Sequence, residues 1–355
     1  MTDRKDLVSQ RRTHSRQPAK VIWRRAPTTR GSGLAAGGVA SAIVLSCVLA
    51  TAVGAQGTAS SLNVPPGARE NALGRAGAAL VGDPSDALWW NPAALGFAEW
   101  YSAQYTHARL DAGSASNIQY KHLAAGVPVR GRFGLGASAT FLSYGVPGFV
   151  VPEPRERSWA FAAGYRILPN VAAGLTVKYV GLENFYGFGS NESAVGFDFG
   201  GLVRRVLAAV TLSAGVNVQN VGSEMEFPGG ASAPLGRNLK IGGAAAVRQS
   251  SGRREAGATL LVDFNQSLVT DEFRTWSYGA EVHGLLAPRV RAAFRLGYYD
   301  DPSGQIQDWT YGAGARVFGA SVDFASIPQA GTLPRVHKWT FGFHTDMLRP
   351  RTAAP

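Results

Sequence analysis

Val290-Arg291-Ala292-Ala293-Phe294-Arg295-Leu296-Gly297-Tyr298-Tyr299 is the stretch that decides the fold. Val290, Ala292, Phe294, Leu296 and Tyr298 make one face, and Arg291, Ala293, Arg295, Gly297 and Tyr299 the other. A period of two belongs to a strand, not a helix. An apolar face backed by two guanidinium groups suits a strand standing between lipid and a polar lumen. The same division separates Val210, Leu212, Ala214, Val216 and Val218 from Thr211, Ser213, Gly215, Asn217 and Gln219. It recurs for Trp309, Tyr311, Ala313, Ala315 and Val317 against Thr310, Gly312, Gly314 and Arg316.

Working outward from these runs, the template predicts about fourteen strands. The first seven lie near Tyr101–Leu110, Asn117–Val127, Phe133–Tyr144, Trp159–Leu168, Val171–Val180, Ser193–Val206 and Ala208–Asn220. The rest lie near Asn238–Arg248, Glu255–Gln266, Thr275–Leu286, Val290–Asp300, Asp308–Phe318, Ala320–Ile327 and His337–Thr345. Tight turns are expected at Pro169-Asn170, Arg205–Leu207, Ser250–Arg253, Ala287–Arg289 and Gly319. Longer links fall at Gly145–Ser158, Asn184–Glu192, Gly222–Arg237, Ser267–Arg274 and Asp301–Gln307. Short and long connections alternate in phase, as in an outer-membrane barrel.

A soluble sandwich would also alternate. Against it stand Trp159, Trp276, Tyr278, Trp309 and Trp339, placed on the apolar faces near strand ends as an interface belt requires. Trp339-Thr340-Phe341-Gly342-Phe343 ends the series with three outward aromatics, like the terminal signal that barrel assembly machinery reads. The fold class is therefore all-β, an antiparallel transmembrane β-barrel over residues 101–346, with a tail at 347–355.

The net charge of +11 invites a nucleic-acid reading. Nine of the basic residues, Arg4, Lys5, Arg11, Arg12, Arg16, Lys20, Arg24, Arg25 and Arg30, precede Ala55, against Asp3 and Asp6. The remainder carries only about +4, so no nucleic acid is expected as a partner. Residues 1–55 have the form of an export signal: a basic stretch, an apolar segment Leu34 to Val53, and small residues Val53-Gly54-Ala55 before Gln56. Cleavage after Ala55 is expected, with Cys47 marking a lipoprotein-type alternative. The outer membrane is the expected location.

Residues 56–100 contain Gly67-Ala68-Arg69-Glu70-Asn71-Ala72-Leu73-Gly74-Arg75-Ala76, then Asp83-Pro84-Ser85-Asp86-Ala87-Leu88-Trp89-Trp90-Asn91-Pro92-Ala93-Ala94-Leu95. Two short helical turns are predicted here. Asp83 caps the first, with Pro84 following and Asp86 reaching back; Asn91 caps the second, with Pro92 following and Gly96 ending it. The segment resembles the start of the FadL superfamily of outer-membrane proteins, and more closely its PorV/PorQ-type branch. The residues that carry the resemblance are Ala72-Leu73-Gly74-Arg75-Ala76, Asp83 with Ser85 and Ala87, and Trp90-Asn91-Pro92-Ala93-Ala94-Leu95.

The resemblance implies a barrel of about fourteen strands plugged from its periplasmic side by this segment as a hatch. Gly74, Arg75, Asp83, Ser85, Trp90, Asn91, Pro92 and Ala93 would form the hatch motif. Inward glycines at Gly134, Gly136, Gly174, Gly196, Gly200, Gly312 and Gly314 leave room for it. Lys178, Asp198, Asp263, Glu281, Arg291, Arg295 and Arg316, with His283, would form a lumen polar network, since buried charge is costly without partners.

No catalytic constellation, phosphate loop or metal-ligand spacing is present, and neither a metal nor a cofactor is expected. The six His residues, His14, His107, His122, His283, His337 and His344, are scattered. The resemblance implies a component that assists secretion or surface attachment of proteins, in a type IX-like apparatus. The alternative is FadL-like passage of hydrophobic small molecules, for which Val146, Phe149 and Val150 form an apolar external loop. Outer-membrane lipid and the barrel assembly machinery complete the expected partners.

Overall fold

The computed structural model describes residues 58–111, 117–145, 153–185, 189–251, 254–270 and 273–347. The expected export signal, the loop residues Val146, Phe149 and Val150, and residues 348–355 of the tail lie outside them. The wall begins with β1 (Ser102–Asp111), β2 (Asn117–Arg130), β3 (Phe133–Gly145), β4 (Arg155–Leu168), β5 (Val171–Glu183), β6 (Asn191–Leu207) and β7 (Val210–Gly222). A small hairpin of β8 (Glu224–Glu226) and β9 (Ser232–Pro234) follows. The wall resumes with β10 (Asn238–Ser251), β11 (Arg254–Ser267), β12 (Arg274–Ala287), β13 (Val290–Asp301), β14 (Ile306–Val317), β15 (Ala320–Ile327) and β16 (Val336–His344).

Each wall strand pairs antiparallel with the next, β7 pairs with β10, and β1 pairs with β16, closing a fourteen-stranded barrel. Lipid offers no hydrogen bonds to a strand edge, so a spanning sheet must close in this way. Outward side chains are large and apolar: Phe161 and Phe294 are each 66% exposed, and Leu260 62%. Such a continuous exposed apolar surface needs hydrocarbon around it. Near the strand ends the belt turns aromatic, with Phe264 against Trp276 at 5.0 Å and Phe324 against Trp339 at 4.8 Å between ring centroids.

Several strands run past their predicted ends. β4 starts at Arg155 rather than Trp159, because alternation continues where the outward residues, Arg155 and Arg157, become charged. The expected turn at Arg205–Leu207 is a correction: those residues stay in β6, and Ala208 makes the turn in a left-handed conformation (φ 51°). Phe318 likewise leaves its predicted strand for the turn, at φ 50°.

Inside lies the amino-terminal segment. It comprises a 3-10 turn at Ser60–Leu62, α1 (Ala68–Ala72), α2 (Pro84–Trp90) and a 3-10 turn at Pro92–Phe97. The expected helical turns are α2 and Pro92–Phe97; α1 and Ser60–Leu62 are too short to leave a periodic signal. Asp83 caps α2, its side chain accepting from the Ser85 N–H, and Asn91 accepts from the Ala93 N–H. Asp86 does not reach back to the cap; it accepts from Gln104 Nε2 at 2.9 Å.

The hatch is not confined to the periplasmic end. Thr58 N–H donates to Pro234 O at 3.0 Å in the long connection after β7, while Gly96 sits against the Tyr165–Arg166 backbone near the tight turn at 169–170. The segment thus descends from the loop end to the turn end. It is seated on bare backbone: a Cβ at Gly174, Gly215, Gly279 or Gly297 would come within 3.0 Å of hatch main-chain atoms. Among the glycines predicted to face the hatch, Gly196 meets Leu235 of the loop and Gly314 meets Asp323 and Arg295 instead.

Gly174→Val and Gly215→Val are each expected to cost about 1–3 kcal/mol by overpacking. The barrel should remain heat-modifiable in gels, while limited proteolysis gains a cut within residues 58–100. Unchanged protection of that segment would contradict the close seating.

Candidate functional site

The hatch divides the bore into two cavities, and its contacts with the wall define the site. α1 carries Arg69, whose guanidinium grips Glu281 of β12 through two bonds of 3.0 and 2.9 Å. Glu281 also accepts from Arg295 Nε of β13 at 2.7 Å, and Arg295 reaches Asp323 of β15 at 2.6 Å. One wall carboxylate therefore holds a hatch cation and a wall cation together. Next along the hatch, Gly74 and Arg75 are both left-handed (φ 70° and 66°), which turns the chain sharply. The Gly74 N–H donates to Thr310 Oγ1 at 2.9 Å, and Thr310 donates to Ala72 O. Arg75 lies 4.2 Å over the Tyr299 ring.

Asp263 Oδ2 of β11 takes the consecutive N–H groups of Gly77 and Ala78, at 2.7 and 2.8 Å. Trp90 is buried, edge-on to Trp89. The carbonyls of these two tryptophans accept from Asn217 and Gln219 of β7. Asn91 donates to Ala78 O at 2.8 Å and to Gly201 O of β6 at 3.1 Å. Pro92 and Ala93 lie on Gly174 and Gly200. Ser85 Oγ donates to Asp83 at 2.7 Å, and the Ser85 N–H to Ser102 Oγ at 2.9 Å.

The lumen residues named from sequence fall into separate groups. Lys178 and Asp198 are 2.7 Å apart and buried, joined by Asn220, whose left-handed backbone (φ 58°) forms the irregularity where β6 meets β7. Glu281 and Arg295 pair as described, with His283 3.6 Å from Glu281. Arg291 and Arg316 are register neighbours of like charge. Both reach Asp346 beyond β16, at 3.5 and 3.0 Å, and Arg291 also holds Glu255 at 2.8 Å. Asp263 serves the hatch amides rather than a named cation.

Sequence reasoning missed Arg69, Asp323, Asp346 and Asn220. Arg69 stood within the quoted motif, and pairing Glu281 with Arg295 by strand register exposes a carboxylate able to take a further cation. Asp346 follows the last strand and leaves no periodic signal.

A second cluster sits where α1 meets α2. Burial pushes the Glu70 carboxyl above its usual range, although Arg69 pulls it back. Burial, with the charges of Glu70 and Asp83, drives Asp86 well above its own. The like charge of Glu70 opposes ionisation of its neighbour Asp86, and the two Glu70 carboxylate oxygens are enclosed without a hydrogen-bond partner. Asp83 behaves oppositely. Burial alone would raise it, but the bond to His344, at 2.6 Å, together with Arg316 at 3.5 Å, outweighs burial and holds it well below the carboxylate range.

The loop-end cavity is about 770 Å³; Val64, Leu110, Ile118, Trp89, Tyr299 and Val336 line it together with the charged Arg75, Arg237, Lys240, Asp263, Asp301 and Lys338. The turn-end cavity is about 800 Å³ and is lined by the ion pairs of Arg69, Asp83, Glu281, Arg291, Arg316 and Asp346. Among the described residues no cluster of His, Cys, Asp or Glu is placed to hold a metal.

No protein-family model and no curated protein matches the sequence. Solved structures with a similar fold include the Ralstonia pickettii toluene transporter TbuX, 13% identical over 79% of this chain and 97% of that one, with a TM-score of 0.48. The P. putida toluene transporter TodX is 11% identical over 79% and 96%, with a TM-score of 0.47. A Pseudomonas aeruginosa FadL homologue is 12% identical over 79% and 98%, with a TM-score of 0.44. Likeness at this level says nothing of substrate.

Glu281→Ala leaves Arg69 and Arg295 facing each other and is expected to destabilise hatch docking by about 3–5 kcal/mol. Thermal unfolding followed by hatch proteolysis measures it; a loss below about 1 kcal/mol would mean water takes over the carboxylate's role.

Docking should also depend on pH with two opposite limbs. Glu70 and Asp86, raised when docked, add stability below their ordinary values of about 4 and lose it as the pH climbs toward their docked values. Asp83, lowered when docked, adds stability above its ordinary value and loses it as the pH falls toward the depressed one. Hatch protection should thus decline from mildly acidic to alkaline pH, and collapse in strong acid. Glu70→Gln should flatten the alkaline limb and leave the acid limb unchanged.

Proposed function

We propose that this chain is an outer-membrane channel for hydrophobic small molecules, closed at rest by its own hatch. The observation that supports this reading is the loop-end cavity, about 770 Å³ in volume, floored by the hatch and lined by apolar and aromatic side chains such as Leu110, Ile118 and Trp89 among polar ones. Pockets of roughly 300–1,000 Å³ lined in this way accommodate small organic ligands. A barrel with a purely structural role has no need of a hollow bore on both sides of a thin plug. Lys240 and Lys338 stand near the floor beside Arg75, so a solute with one polar or anionic end would settle with that end down.

The secretion role implied by the PorV/PorQ-type resemblance rests on the hatch motif and on connections of modest length. An assisting component of that kind would act through surfaces that partners touch, whereas the cavity is an internal feature with the size and lining of a solute site. Uptake of hydrophobic molecules is the reading better matched to it.

Proteoliposomes carrying the full chain are the test. Entry of an alkylbenzene or a medium-chain acyl compound should exceed that into protein-free vesicles, and Leu110→Glu, which sets a charge in the cavity wall, should cut the excess about tenfold. No excess entry, combined with failed surface delivery of exported proteins in a gene deletion, would favour the secretion role instead.

A further inference from the structure

At the loop end the lipid-facing surface is not uniform. On β11 to β14 its upper outward positions are aromatic: Phe264, Trp276, Tyr298 and Trp309. On β4, β3, β2, β1 and β16 the strand register aligns a different row, Arg157, Phe141, Lys121, His107 and Trp339. Arg155, Gln119, Arg109 and His337 stand one outward step nearer the loops. Tyr105, Leu123 and Trp159 lie on the step below and carry the hydrocarbon contact. The cations therefore sit at the upper edge of the apolar band, the depth of lipid headgroups, where charge on a barrel's outer face is tolerated.

Three features bear on what the row meets. Lys121 is exposed and makes no ion pair among the described residues, while Arg157 is answered by Glu183 at 3.0 Å, which leaves the row net positive. His107 Nδ1 is enclosed without a hydrogen-bond partner. The connections above, 112–116 and 146–152, contain no charged residue, with Asp111 and Glu153 at their margins. The row is also wide. Arg157 to His107 crosses three inter-strand steps, roughly 14 Å. That exceeds what one phosphate can bridge. Between the two cationic ends Phe141 offers a flat apolar face, and Trp159 lies 5.7 Å from it; sugar rings pack their C–H faces on such surfaces.

We propose that this row is a binding site for a membrane glycolipid whose sugar headgroup carries two phosphates, one met from the Arg155–Arg157 end and the other from the Lys121–His107 end. Charge-assisted bonds from guanidinium and ammonium to phosphate fix the headgroup. The acyl chains then run down over Leu123, Tyr105 and Trp159. The site is separate from the bore. It rests on the outer-membrane placement, which sets the loop end in the leaflet facing outward, and not on what the bore conducts.

The full chain, held in detergent micelles, is incubated with a diphosphorylated glucosamine-disaccharide lipid, its dephosphorylated counterpart, or phosphatidylglycerol, and retained lipid is counted by native mass spectrometry. The diphosphorylated glycolipid is expected to stay bound, and Lys121→Gln with Arg157→Gln to lower its retention roughly tenfold or more. Arg274→Gln, on the rim of the aromatic side, should leave it unchanged. Heat-modifiability checks that each variant is folded. Equal retention by the double variant, or equal retention of the dephosphorylated lipid or of phosphatidylglycerol, overturns the proposal. Solute entry into proteoliposomes is measured on the same variants: a barrel that binds the glycolipid but conducts nothing defeats the channel reading alone.

Discussion

Backbone lying directly on backbone is the constraint from which the rest of this structure follows. The hatch touches the inner wall where the wall has no side chains, so Leu73 and Gly74 reach Gly279 and Gly297, and Pro92 and Ala93 reach Gly174. At that range van der Waals contact is made on both sides of the plug, and the amides have nowhere to find water. Each buried amide must then find a protein partner. Asp263 and Thr310 supply acceptors to the hatch amides, while Asn217 and Gln219 donate to its carbonyls. The glycines fix the position, and these polar side chains fix the register.

Closure of the barrel and seating of the hatch are consequently one event. The seam joins β1 to β16, and across it Thr106 and Thr340 share a hydrogen bond of 2.8 Å. Thr340 also accepts the Ala68 N–H at 2.8 Å, the first residue of α1. Further down, His344 at the end of β16 meets Asp83 at the start of α2, and Ser102 at the start of β1 receives the Ser85 N–H. A hatch that spans the bore cannot be threaded in easily afterwards; the seam residues are half of its binding site.

The fold was legible in the sequence because lipid, lumen and strand period impose the same alternation on every segment. Val290 to Tyr299 states it once, and the neighbouring strands repeat it. Strand ends were harder. β4 continues through Arg155 and Arg157, where the outward residues meet headgroups rather than hydrocarbon, and an apolar template stops at that boundary. Within the hatch, Asp83, Pro84, Asn91 and Pro92 announced two caps through side-chain chemistry local in sequence. The grip of Arg69 on Glu281 joins residues 212 apart in the chain, which no local rule contains. Asn220 is invisible for a different reason: its role arises from a left-handed kink that only pairing with β6 reveals.

The two cavities impose unequal demands on anything that passes between them. Above the hatch, apolar and aromatic side chains share the lining with Arg75, Lys240 and Lys338, which suits a solute that is apolar with one polar end. Below it, Arg69, Glu281, Arg295 and Asp323 form a continuous set of paired charges, and Arg291, Arg316, Asp346 and Asp83 form a second. Displacing α1 breaks the bidentate Arg69 pair and leaves Glu281 and Asp323 sharing Arg295, so the wall loses its charge balance when the hatch cation leaves. Displacing α2 likewise removes a partner, the Asp83 carboxylate that Arg316 and His344 share; Arg316 then retains Asp346, and His344 retains Ser321. Each half of the plug thus carries part of the wall's charge compensation, and both border the loop-end cavity, α1 through Asn71 and α2 through Trp89.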